Sequence, residues 1–165
     1  MTDSDIRRCA SSILWMFFDV DGVLTDGSLF YGDSGETIKR FNALDGQGIK
    51  MLQARGVGVG ILSGRSHAAV ERRAHELGIA AVFQDVADKL GVLRNWAGSK
   101  GLALNLIGHM GDDLPDVPVI EAVGFGASVV NGHPSALRSA IWVSQRRGGE
   151  GAVREACDFI LGAKE

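Results

Sequence analysis

The sequence predicts an α/β fold, a doubly wound parallel sheet covered by helices on both faces. Two observations support this: short apolar runs recur along the chain, and segments with apolar residues at helical spacing lie between them. The runs interpreted as buried strands are Ile13–Phe18, Val57–Leu62, Ala80–Phe83, Leu104–Met110 and Gly124–Ala127. The segments interpreted as helices are Gly46–Ala54, Ser66–Leu77, Asp88–Lys100, Asp113–Ala122 and Ala152–Leu161. Strands that alternate with helices in this way form parallel sheets.

The helix predicted at 66–77 shows the helical pattern most clearly. Its apolar residues share one face, namely Ala69, Val70, Ala74 and Leu77. Glycine follows three of the predicted helices, at Gly56, Gly78 and Gly101, where a left-handed residue commonly ends a helix. The glycine excess, 23 of 165 residues, therefore indicates tight connections rather than low complexity.

One segment interrupts the alternation of strands and helices. Ser28–Tyr31 and Glu36–Phe41 flank the turn-forming residues 32–35, which predicts a β-hairpin within residues 25–42. Because the hairpin directly follows the first strand, we expect it to project from the carboxyl edge of the sheet. Ligands of α/β proteins bind at that edge.

Composition excludes several classes of function. Lys plus Arg is 17 and Asp plus Glu is 20, so the formal charge of −3 leaves no basic surface typical of nucleic-acid binding. The longest apolar run near the N-terminus is six residues and cannot span a membrane. Two widely separated cysteines, Cys9 and Cys157, suggest a reducing compartment. We expect a cytoplasmic protein with neither nucleic acid nor membrane as a partner.

Two aspartates follow the first strand. Asp19 and Asp21 lie two positions apart, so their side chains point to the same side of an extended chain. Two like charges held this close are unfavourable unless a cation or a proton intervenes, and oxygen ligands favour Mg²⁺. The alternative is a solvated turn, in which Asp and Gly are common.

A second acidic cluster, Asp112, Asp113 and Asp116, follows the fourth predicted strand. The carboxyl ends of the first and fourth strands can be neighbours in a doubly wound sheet, which would bring both clusters to one cation. The alternative is a helix N-terminus, where acidic residues are also favoured.

Two further features lie near strand ends. Ser63-Gly64-Arg65 offers a hydroxyl and backbone N–H groups suited to phosphate, although a helix N-cap by Ser63 or Ser66 is an alternative. Lys89 opens a predicted helix, where an exposed surface lysine is the alternative.

In this order, the motifs resemble those of the haloacid dehalogenase (HAD) superfamily of phosphatases: DxDGV(T/S), then Ser or Thr, then Lys, then GDDxxD. The resemblance is closer to the 3-deoxy-D-manno-octulosonate (KDO) 8-phosphate phosphatase family and covers residues 13–163. Its motifs match here at Val20–Gly27, Gly35-Glu36, Lys39, Phe41-Asn42, Asp45-Gly46, Gly48-Ile49, Gly64-Arg65, Arg73, Gly111–Val119 and Gly148–Glu155. One departure is Asp85 after Gln84, where the family commonly has Gly.

The resemblance implies a Rossmann-like HAD fold, a single domain over residues 1–165 and no separate cap domain. It also implies a Mg²⁺-dependent phosphatase that forms an aspartyl-phosphate. Asp19 would be the nucleophile and a metal ligand. Asp21 would act as acid and base through its side chain and bind the metal through its backbone carbonyl. Asp112 would bind the metal directly, with Asp113 and Asp116 in support.

The remaining catalytic roles concern the phosphoryl group. Ser63 and the N–H of Gly64 would hold its oxygens, and Lys89 would neutralise its charge. The implied substrate is KDO 8-phosphate, a carboxylated sugar phosphate on the route to lipopolysaccharide. Contacts with this substrate are expected from Thr25, Gly64, Arg65, Arg73 and Arg154.

The resemblance also implies a homotetramer in which neighbouring subunits complete each site. The hairpin would form the interface through Leu29, Phe30, Tyr31 and Phe41, with core packing as the alternative. A C-terminal tail from about residue 148 would act as a mobile closing segment, Gly148–Glu155.

Other interpretations remain at this point. The nearest enzyme alternative is a phosphatase of a nine-carbon sialic-type sugar acid 9-phosphate. A phospho-accepting signalling domain is disfavoured because Asp21 provides the partner acid that hydrolyses a phosphoenzyme. The histidines share no ligand spacing, and we expect them to be packed or solvated; for His109, just before the second acidic cluster, an indirect influence on that cluster is an alternative.

Overall fold

The computed structural model describes residues 1–165. Its strands are β1 (Trp15–Phe18), β2 (Phe30–Gly32), β3 (Gly35–Ile38), β4 (Gly58–Leu62), β5 (Ala81–Phe83), β6 (Ile107–Gly111), β7 (Phe125–Ser128) and β8 (Trp142–Val143). Its α-helices are α1 (Asp3–Ser12), α2 (Ala43–Ala54), α3 (Ala68–Glu76), α4 (Lys89–Ser99), α5 (Val117–Ala122), α6 (Pro134–Ser139) and α7 (Ala152–Ala163).

Six strands form one parallel sheet in the order β5-β4-β1-β6-β7-β8. The chain builds outward from β1 to β5 on one side and then returns to β6 on the other. The direction of winding therefore changes between β1 and β6, whose residues Phe18 and Met110 are paired. This arrangement confirms the predicted doubly wound sheet and the predicted contact between its first and fourth strands.

Alternation along β1 divides the core between the two faces of the sheet. Met16 and Phe18 pack in a cluster of 26 buried residues that includes side chains from α1, α2, α3 and α7. Phe17 points the opposite way and packs against α4 and α5. Both faces are covered, which explains why the strands are almost wholly apolar.

Three elements of the structure lack a counterpart in the sequence prediction: α1, α6 and the edge strand β8. Helix α1 begins with a capping box in which Thr2 and Asp5 satisfy each other's backbone N–H groups. It packs on α7 through its few apolar residues, including Ile6 and Ala10. The Thr-x-x-Asp spacing was the available signal for this helix.

The predicted hairpin is present as β2 and β3, and it is shorter than expected. Its strands join through a tight turn at Asp33-Ser34 and form a separate two-stranded sheet. Phe30, Tyr31 and Ile38 are exposed, so the hairpin projects beyond the main core.

The C-terminal segment, predicted to be a mobile tail, packs against the rest of the chain in this structure. Gly148 and Gly149 are buried, and the N–H of Gly149 donates to the Val23 carbonyl at 2.9 Å. Helix α7 then begins at Ala152. Gly148–Glu155 is therefore an integral part of the fold, because its glycines let the backbone approach the loop that follows β1.

None of the helices combines the length and the apolarity that a membrane span requires.

Candidate active site

Two carboxylates meet at the carboxyl edge of the sheet because β1 and β6 are neighbours. Asp19 follows β1, and its N–H donates to the carbonyl of Met110 at 3.0 Å. Asp112 follows β6, and Asp116 lies one turn further along the chain. One carboxylate oxygen from each of Asp19, Asp112 and Asp116 lies within 4.8 Å of the others. The structure thus brings the two predicted acidic clusters together.

The loop after β1, which we call the β1 loop (Asp19–Asp26), is held by Thr25. The Thr25 hydroxyl accepts hydrogen bonds from the N–H groups of Gly22 and Gly27, and it faces the Val20 carbonyl. Thr25 is only 2% exposed. These contacts favour a positioning role for Thr25 over the predicted contact with substrate.

Gly22 allows the β1 loop to pass close to Asp112. Its φ is +97°, and a Cβ atom at this position would lie 2.1 Å from Oδ2 of Asp112. A side chain would be strained by the backbone and would also displace the carboxylate. The glycine of the DxDG motif therefore serves the geometry of the second acidic cluster.

Lys89 links the nucleophile candidate to the second cluster. It is the first residue of α4, and its Nζ lies 3.0 Å from Oδ1 of Asp19 and 2.7 Å from Oδ1 of Asp116. Burial lowers the pKa of Lys89, but the charges of Asp19 and Asp116 outweigh burial and keep that pKa above its usual value. The lysine is a buried cation, which excludes the surface alternative.

Asp19 and Asp112 carry carboxylates that are unfavourable in the absence of a cation. Burial and the adjacent Asp116 charge raise the pKa of Asp19 to about 7, despite Lys89. Burial and the Asp116 charge also raise the pKa of Asp112 to about 7, with a smaller effect from Asp113. A divalent cation would stabilise both ionised forms.

The residues present fit Mg²⁺. The donors are all oxygens, and Asp19 and Asp112 need a further positive charge. Asp116 is less suited as a direct ligand. Its Oδ1 faces Lys89 and His109, and its Oδ2 accepts from the N–H groups of Asp112 and Asp113.

Asp21 points towards the hairpin rather than into the carboxylate cluster. Its Oδ1 accepts a hydrogen bond from Nζ of Lys39, which follows β3. Its Oδ2 is buried without a hydrogen-bond partner and lies 3.7 Å from Nε of Arg65. The side chain is therefore separate from the carboxylate cluster and paired with Lys39 and Arg65, and its acid–base role stays a prediction.

The hairpin is tied to the site by charge pairs. Glu36 on β3 accepts from Lys39 at 2.9 Å and from Arg65 at 2.8 Å, and Arg65 also contacts the Tyr31 hydroxyl. The charges of Lys39 and Arg65 lower the pKa of Glu36 even though burial opposes this effect. A cleft of about 390 Å³ lies between the hairpin and α3. Residues lining it include Lys39, Phe41, His67, Arg72 and Arg73.

Ser63 directly follows β4, the strand beside β1, and is 2% exposed. Its Oγ accepts the N–H of Arg65 at 3.2 Å and donates to no protein acceptor. The N-cap of α3 is His67, which excludes the predicted alternative of a cap by Ser63 or Ser66. The hydroxyl hydrogen and the N–H of the exposed Gly64 are therefore available for an anion.

Two predicted site residues lie apart from the cluster. Arg154 is on α7, where its Nε pairs with Asp158 at 2.9 Å. Its guanidinium contacts neither the carboxylate cluster nor Lys89. Asp113 uses its carboxylate to cap the turn at Leu114. Phe41, predicted at an interface, packs against the core of its own chain.

Sequence reasoning missed one contact near the site and gave the other, that of His109, only as an alternative. Lys39, recognised only as part of a motif, holds Asp21, and His109 bonds Asp116 inside the sheet. The only available signals were the Glu36-x-x-Lys39 spacing and a histidine within an otherwise apolar strand. Neither identifies its partner, because the hairpin geometry and the strand register make these contacts.

Comparison with known proteins identifies relatives of nearly full length, although no protein-family model matches the chain. The 3-deoxy-D-manno-octulosonate 8-phosphate phosphatase KdsC of Yersinia pestis is 38% identical over 161 residues, covering 98% of this chain and 86% of the relative.

Two solved structures are similar to the chain over almost its whole length. A probable YrbI family phosphatase from Pseudomonas syringae pv. phaseolica has a TM-score of 0.96 and 48% identity, covering 98% of this chain and 92% of that one. The 3-deoxy-D-manno-octulosonate 8-phosphate phosphatase of Moraxella catarrhalis, solved with magnesium, phosphate and KDO, has a TM-score of 0.96 and 39% identity, covering 99% and 94%. The chain therefore belongs to the KDO 8-phosphate phosphatase family of the HAD superfamily.

Proposed function

We propose that this protein is a Mg²⁺-dependent phosphatase that hydrolyses KDO 8-phosphate to KDO and phosphate, a step towards lipopolysaccharide. The observation that carries the proposal is the meeting of Asp19, Asp112 and Lys89 at one sheet edge in a chain of this family. Phosphoryl transfer requires a nucleophile and a positive charge. Asp19 provides the nucleophile, and the buried Lys89 provides the charge.

The first half of the reaction uses Asp19 and Asp21. A carboxylate oxygen of Asp19 attacks phosphorus, and the bond between phosphorus and the sugar oxygen breaks. Asp21 protonates the departing sugar oxygen. The Asp21 side chain lies outside the carboxylate cluster, beside Lys39 and Arg65. The product is an aspartyl-phosphate on Asp19 and the free sugar acid.

The second half regenerates Asp19. Asp21, now a carboxylate, takes a proton from water, whose oxygen attacks phosphorus and breaks the bond to Asp19. Lys89 keeps its charge throughout and faces the nucleophile at 3.0 Å. Ser63 and the Gly64 N–H hold phosphoryl oxygens, which is supported by the free hydroxyl hydrogen of Ser63.

Asp19, Asp112 and the backbone carbonyl of Asp21 would hold Mg²⁺. When bound, the ion offsets the charge of the carboxylates and of the phosphoryl oxygens. Asp116 supports this group through the backbone of Asp112, and Asp113 contributes through its N–H, which donates to Asp116.

The sugar acid is proposed to lie in the cleft between the hairpin and α3. Lys39 and Arg73 line this cleft, and Arg65 lies beside Asp21 at its border. These cations favour a carboxylated sugar over a neutral one. Arg154 is on α7 and does not line this cleft.

The test is turnover of two substrates in parallel, KDO 8-phosphate and a nine-carbon sugar acid 9-phosphate, each with and without Mg²⁺. We expect the eight-carbon substrate to be preferred in kcat/KM and turnover to vanish when Mg²⁺ is removed. Preference for the nine-carbon substrate would identify the protein as a sugar acid 9-phosphate phosphatase instead. Metal-independent turnover would contradict the mechanism.

We further propose that the hairpin joins four subunits in the cytoplasm and that neighbours complete each site. Phe30 and Ile38 are cross-strand partners, 49% and 60% exposed, and form an apolar pair on the hairpin; Tyr31 beside them is 64% exposed. Light scattering of the wild type and of Phe30→Ser tests this arrangement, with Leu14→Ser as a control at another exposed apolar residue. A monomeric wild type would contradict it.

A further inference from the structure

His109 is a buried polar residue for which the mechanism has no use so far. It lies in the middle of β6 and has no exposed surface. Its Nε2 lies 2.9 Å from Oδ1 of Asp116. A polar side chain inside a parallel sheet is unfavourable unless it makes a specific contact, so this contact requires an explanation.

The chemistry of the imidazole decides which partner donates. Nδ1 of His109 is buried and has no hydrogen-bond partner. A proton on Nδ1 would be a buried donor without an acceptor, which is strongly unfavourable. The neutral tautomer with its proton on Nε2 avoids this, so His109 donates to Asp116.

Asp116 connects several of the groups that surround the nucleophile. Its Oδ1 accepts from both His109 and Lys89, while its Oδ2 accepts from the backbone N–H groups of Asp112 and Asp113. The carboxylate is thus held through both of its oxygens.

A continuous chain of contacts links His109 to the nucleophile. The Nε2–Oδ1 distance to Asp116 is 2.9 Å, the next contact to Nζ of Lys89 is 2.7 Å, and the last, to Oδ1 of Asp19, is 3.0 Å. Without the histidine, the Asp116 carboxylate could rotate, and Lys89 would lose its fixed position. A small displacement of such a cation slows phosphoryl transfer strongly and weakens substrate binding less.

We propose that His109 is a positioning residue for phosphoryl transfer: its Nε2–H orients the Asp116 carboxylate that holds Lys89 beside Asp19. This inference rests on the proposed function of that site. His109 touches neither substrate nor metal in this scheme and acts only through Asp116.

The test compares His109→Phe, which removes the donor, with His109→Gln, whose amide can place a donor near the same position. Ile107→Val is the matched control, because it trims a fully buried side chain of the same strand outside the contact chain. We expect kcat of His109→Phe to fall about tenfold, with KM changed less than about twofold. The His109→Gln and Ile107→Val variants should keep most of the wild-type kcat.

The opposite results are equally defined. Wild-type kcat in His109→Phe, or an equal loss in His109→Phe and His109→Gln, would overturn the proposal. An equal loss in Ile107→Val would reduce the role of His109 to packing. If His109→Phe does not fold, His109→Gln and His109→Asn make the same comparison, since the Asn amide is too short to reach Asp116.

Each variant is assayed with KDO 8-phosphate and with p-nitrophenyl phosphate. A wild type that hydrolyses only p-nitrophenyl phosphate would overturn the proposed substrate but still allow the His109 comparison. The two proposals therefore fail separately.

Discussion

Asp19 faces conflicting demands as a buried nucleophile. Attack requires its ionised form, whereas burial and the neighbouring Asp116 charge favour the neutral form and raise its pKa to about 7. Lys89 offsets part of this effect at 3.0 Å. A bound cation would supply the rest, so metal binding and ionisation of Asp19 are coupled.

Asp85 carries a local strain that the resembling family avoids. It is the only residue other than glycine with a positive φ, at 57°. The left-handed region disfavours a residue with a Cβ, whereas glycine adopts it freely. We predict that Asp85→Gly raises the free energy of unfolding by about 0.5–1 kcal/mol, after the greater freedom of glycine in the unfolded chain is subtracted.

Urea denaturation measures this change, with Asp88→Gly as a contrast. Asp88 caps α4 through the N–H of Gly91 and has a negative φ, so its replacement should destabilise the protein. A destabilised Asp85→Gly variant would show that the carboxylate makes a favourable contact that outweighs the strain.

At this scale, the sequence alone located Asp19, Ser63, Lys89 and Asp112 near strand ends, and the structure confirms that Asp19, Lys89 and Asp112 meet. Prediction succeeded because neighbouring parallel strands end at one edge. The contacts of Asp21 with Lys39 and of His109 with Asp116 could not be predicted, because they depend on side-chain direction and on the docking of the hairpin.

The β1 loop and the segment before α7 support each other as elements. Gly148 approaches so closely that a Cβ would lie 1.7 Å from the carbonyl oxygen of Gly22. The Gly149 carbonyl also accepts from the Asn42 side chain, which connects the segment to the start of α2. The position of Asp21 within the loop therefore depends on a segment more than a hundred residues away.

We predict that Gly148→Ala lowers the free energy of unfolding by about 2–4 kcal/mol, because the overlap is with backbone that cannot move freely. The displaced β1 loop should also reduce kcat. Thermal denaturation and turnover measure both effects. Gly162→Ala is the control, because a Cβ there meets open space on α7. An unchanged kcat in Gly148→Ala would show that this segment does not determine the position of the β1 loop.

Element prediction succeeded where apolar periodicity was strong and failed elsewhere. Strands β1 and β4 are long apolar runs and were predicted. The edge strand β8 has only two residues, Trp142 and Val143, and is defined by its pairing with β7. Helix α1 is largely polar, so its position depends on its contact with α7 rather than on its own sequence pattern.

For the whole molecule, the raised pKa values of Asp19 and Asp112 determine how stability varies with pH. Both values are about 7 in the folded protein, above the ordinary value of 3.8. At pH values between 3.8 and about 7, the folded state binds more protons than the unfolded state. The free energy of unfolding therefore falls as pH rises through this range. Asp45, whose pKa is raised to about 6 mainly by burial, acts in the same direction.

We predict that the metal-free protein is less stable at about pH 8 than at about pH 5 and that Mg²⁺ reduces this difference, because it binds the ionised carboxylates. Urea denaturation with EDTA or with Mg²⁺ measures the effect. Asp112→Asn should flatten the pH dependence. Stability that rises with pH in EDTA would contradict the electrostatic account.

The fold of the whole molecule was predictable because alternating strands and helices permit few topologies. The packing of the C-terminal segment on the β1 loop was not predictable, since glycines that allow close packing have the same sequence pattern as glycines that allow movement. Only the approach of Gly148 to Gly22 distinguishes the two.

The central claim is that Asp19 carries the phosphoryl group during turnover. Its most direct test is rapid quenching of the wild-type protein during hydrolysis of KDO 8-phosphate with Mg²⁺, followed by mass spectrometry of its peptides. We predict one phosphoryl group on the peptide containing Asp19, at Asp19 itself, and neither adduct nor turnover in Asp19→Asn. A phosphoryl group on another residue, or turnover by Asp19→Asn, would contradict the account.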